Sequence, residues 1–146
     1  VVVMKRGGAD ISESDALDHI YGYAVGNDLT RRDVQAAAKA KGNPWDMAKG
    51  FDNSAVIGVV HPVSEVGHPT SGAVNCTVDG EARQSGDLTQ MIWSVPEIIA
   101  TLSKLVTLEA GDVIMTGTPS GVGPIAAGQT CVCSIEGLSG ATVTVA

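Results

Sequence analysis

Aromatic side chains are scarce, with one Phe, two Tyr and two Trp among 146 residues. Few large rings are available to fill a core, so packing falls to aliphatic residues, which suits closely spaced strands. Positive charge is also short, nine Lys and Arg against sixteen Asp and Glu, for a formal net charge of -7. Nucleic acid is gripped through clustered Lys and Arg on phosphates, so this balance argues against it as a partner. No apolar run approaches the roughly twenty residues that span a bilayer. The opening Val1-Val2-Val3-Met4-Lys5-Arg6 places its charges after the apolar part, the reverse of a signal peptide. No membrane partner is expected, and a cytoplasmic location follows as the default. Cysteine is limited to Cys76, Cys131 and Cys133. Cys131 and Cys133 would share a strand face, but no second pair completes a zinc site, so reduced and mostly buried thiols are expected.

Glycine is plentiful, with 18 residues, alongside 44% hydrophobic and 17% charged residues. That balance suits a single β-rich domain with many turns, over 1–146. Val1 to Met4 reads as a strand already under way at the first residue. Ser12 and Asp15 open a short helix to about Ile20. The continuous run Ala55 to Val60 reads as a strand covered on both faces. Val74 to Val78 and Glu81 to Gly86 form a hairpin through Asp79-Gly80. Ser94 caps a helix from about Pro96 to Leu105, with Ile98, Ile99, Leu102 and Leu105 inward. Val113 to Met115 is a strand feeding a glycine-rich loop, and Cys131 to Glu136 and Ala141 to Val145 close the chain as strands.

The densest chemistry lies between Gly22 and Asn53. Ile20 to Val25 alternates as a strand ending at Gly26, which leaves Asp28 at a strand end. Thr30 reads as the cap of a helix on which Arg31 and Gln35 share a face and Val34, Ala37 and Ala38 point inward. Gly42 ends that helix, Trp45 wedges the Asn43-Pro44 turn against the core, and Lys49 enters an extended segment. Arg31, Arg32 and Lys49 supply local positive charge. The loop Thr116 to Pro124 lacks the Gly-Lys-Ser/Thr ending of a phosphate loop. Its glycines allow close backbone approach, so that N–H groups and the Thr118 hydroxyl could hold a carboxylate, the alternative being a tight turn between strands with no ligand. His61 and His68 have no partners at triad spacing and read as structural.

Three segments, GNDLTRRDVQ at 26–35, PWDMAKGFDNSA at 44–55 and GDVIMTGTPSGVGP at 111–124, resemble the fumarylacetoacetate hydrolase family. Among its members the pattern is most similar to bacterial fumarylpyruvate hydrolases, then to acylpyruvases and oxaloacetate decarboxylases. The resemblance implies an α+β, mostly β fold, with mixed sheets rolled into a distorted barrel and short helices outside. It also implies a Mg²⁺- or Mn²⁺-dependent hydrolase that cleaves a carbon–carbon bond in a 2,4-diketo acid, and a homodimer. By the same resemblance Asp28 is a metal ligand, Lys49 the catalytic lysine, and Arg32, Gln35 and Thr118 bind substrate. Asn53 stands where some relatives carry threonine. A Glu-x-Glu pair of metal ligands and a catalytic His–Glu pair are expected upstream of Val1, so the chain reads as a piece of a longer domain. The alternative from a different class is a non-catalytic remnant that keeps the fold.

Overall fold

The opening apolar run becomes the middle of a sheet. In the computed structural model, which describes all residues from Val1 to Ala146, β1 (Val2–Met4) lies between β2 (Ile20–Tyr23) and β8 (Val113–Ile114), with β5 (His61–Pro62) outside β2. Val2 and Met4 are buried on the core face of this central strand, while Val3 on the opposite face is half-buried. A second sheet has the order β10-β9-β6-β7, from β6 (Ala73–Val78), β7 (Glu81–Asp87), β9 (Thr130–Ile135) and β10 (Ala141–Thr144). β3 (Gly26–Asp28) and β4 (Ala55–Ile57) form a two-stranded ladder.

The fold is α+β and mostly strand, as expected, but two features differ. Every strand pairing is antiparallel, so the sheets are not mixed. The three sheets also stay separate, leaving β5, β8, β7 and β10 as edges, so no barrel closes. No helix is long and apolar enough to cross a membrane.

The hairpin of β6 and β7 turns at Asp79 and Gly80, whose φ values of 50° and 83° are the left-handed pair a two-residue turn requires. α4 (Val95–Ser103) begins at Ser94, whose hydroxyl accepts from the Glu97 N–H at 3.4 Å while the Ser94 N–H donates to the Glu97 carboxylate at 2.6 Å. Its buried face is Ile99, Ala100 and Ser103. Leu105 lies past the helix end and is 76% exposed, against expectation. The helix gives way to tighter i→i−3 bonds, Lys104 N–H to the Thr101 carbonyl at 3.3 Å and Leu105 N–H to the Leu102 carbonyl at 2.9 Å, while the Ser103 hydroxyl accepts from the Ile11 N–H at 2.9 Å and donates to the Ala100 carbonyl at 3.1 Å. The run after Ala55 also differs. It holds a strand only to Ile57, after which the Gly58 N–H donates to the Val25 carbonyl at 2.9 Å and Val59 is exposed.

Buried residues form two clusters. One gathers Met4, Ala16, Ile20, Tyr23 and Ile99 between the first sheet and α4, and the other gathers Val25, Val78, Ala141 and the three cysteines over the second sheet. Burial pushes the Cys131 thiol up to about 11. A group whose pKa is raised by folding contributes stability in full below its unfolded value and loses it as pH rises through the folded one. The urea midpoint should therefore fall between the ordinary thiol range and about pH 11, and this slope should shrink in Cys131→Ala. A midpoint flat across that range would place the thiol in contact with water.

Candidate active site

Asp28 is the last residue of β3, paired across the ladder with Ala55. The chain then runs along the next turn, with the Leu29 N–H donating to the Ser54 carbonyl at 2.9 Å and the Arg31 N–H to the Ala48 carbonyl at 3.0 Å. These backbone bonds bring Lys49 to Asp28 across 21 residues of sequence. The Lys49 ammonium donates to the Asp28 carboxylate and to the Thr30 hydroxyl, the latter at 3.0 Å. The two side chains are 34% and 43% exposed, so as a stability element the pair contributes only about 0–1 kcal/mol. Its importance is positional, an ammonium and a carboxylate held together at a groove.

Several local expectations change here. Lys49 ends a short helix, α2 (Asp46–Lys49), rather than entering an extended segment. Thr30 does not cap α1 (Arg32–Ala40); its hydroxyl donates to the Asp28 carbonyl at 3.1 Å and receives Lys49, so the helix starts two residues later. Arg31 consequently lies outside the helix with its guanidinium 4.4 Å from the Phe51 ring centroid, and Arg32 rather than Arg31 meets Gln35, its Nη1 donating to Oε1 at 3.1 Å. α1 buries none of its residues, and Trp45 is 45% exposed rather than wedged in the core. Arg32 forms no ion pair, so its charge is uncommitted.

Thr118 sits in the loop after β8. Gln84 on β7 donates to the Thr118 hydroxyl oxygen at 2.6 Å and to the Pro119 carbonyl at 2.7 Å. With that bond accepted, the Thr118 O–H is still free to donate to an acceptor in the groove. Gly121 fixes the loop against β7. A Cβ there would lie 2.0 Å from the Arg83 carbonyl oxygen, and its φ of 99° is left-handed. Gln84 was not legible as a site residue, since nothing in an alternating hairpin strand marks which side chain meets a loop 34 residues later.

Asp28, Arg32, Gln35, Lys49 and Thr118 all line one groove of about 1380 Å³, together with Trp45, Phe51 and Trp93. Small-molecule pockets are commonly about 300–1,000 Å³, so the groove holds a ligand with room to spare. Neither His61 nor His68 lines it. The Ser139 N–H donates to His61 Nε2 at 3.0 Å, and the Tyr23 hydroxyl lies 2.7 Å from His68 Nδ1, both structural arrangements.

Mg²⁺ and Mn²⁺ take hard oxygen ligands, about six of them for Mg²⁺. Asp28 fits such a cation in kind, as a carboxylate at the groove wall. In number the chain falls short, for no group of three carboxylates or imidazoles converges there.

Residues 1–146 match the family described as fumarylacetoacetate (FAA) hydrolase C-terminal. A mitochondrial oxaloacetate tautomerase of Arabidopsis thaliana is 46% identical over 138 residues, 94% of this chain and 62% of that protein. A fumarylpyruvate hydrolase of Ralstonia sp. is 41% identical over 145 residues, 99% of this chain and 75% of that protein. The crystal structure of fumarylpyruvate hydrolase from Pseudomonas aeruginosa in complex with Mn²⁺ and pyruvate superposes with a TM-score of 0.96 at 45% identity, covering 99% of this chain and 62% of that one. The chain thus spans under two thirds of the length of several relatives. Matched from end to end in sequence and superposed on solved relatives in fold, it belongs to the fumarylacetoacetate hydrolase C-terminal family.

Proposed function

We propose that the protein is a divalent-cation-dependent hydrolase that cleaves a 2,4-diketo acid between C3 and C4, with fumarylpyruvate, giving fumarate and pyruvate, as its substrate. The observation that carries this reading is that Asp28, Lys49, Arg32, Gln35 and Thr118 all line one groove, with Lys49 bonded to Asp28 and Arg32 to Gln35. A cation bound with the help of Asp28 supplies Lewis-acid polarisation of the substrate's oxygens.

This chain's own residues do the rest of the positioning. The Thr118 O–H and the N–H groups of its loop donate to the substrate's 1-carboxylate, at a helix-free anion site of backbone donors. In this reading the Lys49 ammonium stabilises the negative charge that develops on the C2 oxygen as the C3–C4 bond breaks and an enolate departs. Water's hydroxyl ends on the C4 acyl carbon and its proton on C3, so atoms balance as one acid and pyruvate. The unpaired Arg32 guanidinium, steadied by Gln35, receives the distal carboxylate that distinguishes fumarylpyruvate from acetylpyruvate.

A second reading has its own support. The Arabidopsis relative is an oxaloacetate tautomerase and a Dictyostelium discoideum relative, 42% identical, is an oxaloacetate decarboxylase. Both reactions pass through an enol or enolate of a 2-keto acid, which the same Lys49 and Thr118 placements suit. Turnover of the full-length protein on fumarylpyruvate, acetylpyruvate and oxaloacetate, with Mg²⁺ or Mn²⁺ and with excess EDTA, separates them. Metal-dependent cleavage preferring fumarylpyruvate supports the leading reading, a preference for oxaloacetate replaces it with the second, and no turnover of any leaves the non-catalytic remnant. The homodimer belongs to this proposal, and sedimentation of the full-length protein checks it.

Gln84 supplies a finer test. Gln84→Leu removes about 1 kcal/mol of orientation from Thr118. KM should rise about fivefold to tenfold while kcat changes less, since a carboxylate contact is made equally in ground and transition states. An unchanged KM would take Thr118 off the substrate carboxylate.

A further inference from the structure

The three cysteines that looked unpaired in the sequence converge in the fold. Cys76 on β6 faces Cys133 on β9 directly across the second sheet, and Cys131, two residues earlier on the same face, completes a triangle. Their sulfurs all lie within 4.8 Å of one another, with Cys76 and Cys131 3.3 Å apart. They are 8%, 1% and 8% exposed, yet all three are among the residues that line the groove. The Asn27 side-chain amide meets Cys131 Sγ at 3.2 Å, its one side-chain hydrogen bond, and its other amide atom is uncommitted.

Cysteine often packs simply as a small hydrophobe, and two of these residues would do so unremarked. Three sulfurs with a polar amide against one of them are different. A cation with metal–sulfur bonds of about 2.3 Å holds its sulfurs about 3.8–4.0 Å apart in tetrahedral or trigonal geometry. The 3.3 Å between Cys76 and Cys131 is shorter than that and the other sulfur pairs stay within 4.8 Å, so the triangle is of the size such a cation needs. Amide oxygen and nitrogen exchange by a simple flip, which would turn the Asn27 oxygen toward the fourth position.

We propose that Cys76, Cys131 and Cys133, with the Asn27 amide oxygen, form a site for a thiophilic divalent cation, Zn²⁺ or its heavier analogue Cd²⁺. Binding replaces three thiol protons, released to solvent, by three metal–sulfur bonds, and leaves a net charge of -1 on the group. Soft sulfur ligands keep this site distinct from the hard-oxygen position at Asp28. Asn27 adjoins Asp28 on β3, so filling the thiol site acts on the strand that carries Asp28.

The test is an ultraviolet titration of the full-length protein, under reducing conditions, with Cd²⁺ in the presence of excess Mg²⁺ to occupy oxygen ligands. A sulfur-to-cadmium charge-transfer band that saturates at one Cd²⁺ per chain is expected. Cys131→Ser and Cys133→Ser should each weaken Cd²⁺ binding by more than about tenfold, with circular dichroism unchanged, and Asn27→Ala by a smaller factor. Should either serine variant fail to fold, the other and Cys76→Ser give the same reading. Absence of the band, or a band that survives all the cysteine substitutions, overturns the proposal. The readout is absorbance, so it stands or falls independently of the enzymatic reading.

Discussion

Asp28→Ala is expected to lower metal-dependent turnover of the full-length protein about a thousandfold while leaving its melting temperature within a few degrees of the parent. The two halves of this expectation have separate causes. Loss of a carboxylate from a hard-cation site removes several kcal/mol of charge stabilisation, and about 4 kcal/mol corresponds to a factor near 10³. The fold tolerates the change because the Asp28–Lys49 pair is partly exposed and contributes little to stability. The backbone bonds around it, from Leu29 to Ser54 and from Arg31 to Ala48, are untouched by the substitution. Parallel kcat and melting measurements check this. Near-normal metal-dependent turnover in the variant would take Asp28 out of the site.

Lys49→Met should act on a different quantity. With the ammonium gone, the negative charge that develops at the substrate oxygen loses its nearby cation, and kcat should fall about a hundredfold to a thousandfold. Metal affinity should change far less, because Lys49 is not a ligand and its removal frees an oxygen of Asp28 from a competing hydrogen bond. Mn²⁺ titration followed by calorimetry, beside steady-state kinetics, separates the two effects. Equal losses in turnover and in metal affinity would make Lys49 a structural residue that orients Asp28.

How much of this was legible in the sequence depended on whether a signal was local. The hairpin at Asp79-Gly80 and the Ser94–Glu97 cap of α4 were readable because each is a short motif whose geometry is self-contained. The strand at Val2–Met4 was readable from its continuous apolar run. α2 was missed because four residues, Asp46–Lys49, are too few to show helical periodicity. Thr30 was misread as a cap because its hydroxyl had two possible uses, and Lys49, nineteen residues away, decided between them. The expected barrel fails for a related reason, since closure depends on edge pairing between distant strands. The same holds at the site. The family resemblance of the three motifs singles out Asp28, Lys49 and Thr118 as candidates, whereas Gln84 and the cysteine triangle depend on β7 and β9 registers that sequence does not encode locally.

The most direct measurement is a calorimetric titration of pyruvate, the smaller product, into the full-length protein with Mn²⁺ and with EDTA, repeated for Asp28→Ala. Binding that requires Mn²⁺ and is lost in Asp28→Ala is the expected result, since the groove then holds a 2-keto acid through a cation and Asp28 together. Pyruvate binding of equal strength in EDTA and in the variant would contradict it, and would leave the groove an anion site with no part in metal-assisted chemistry.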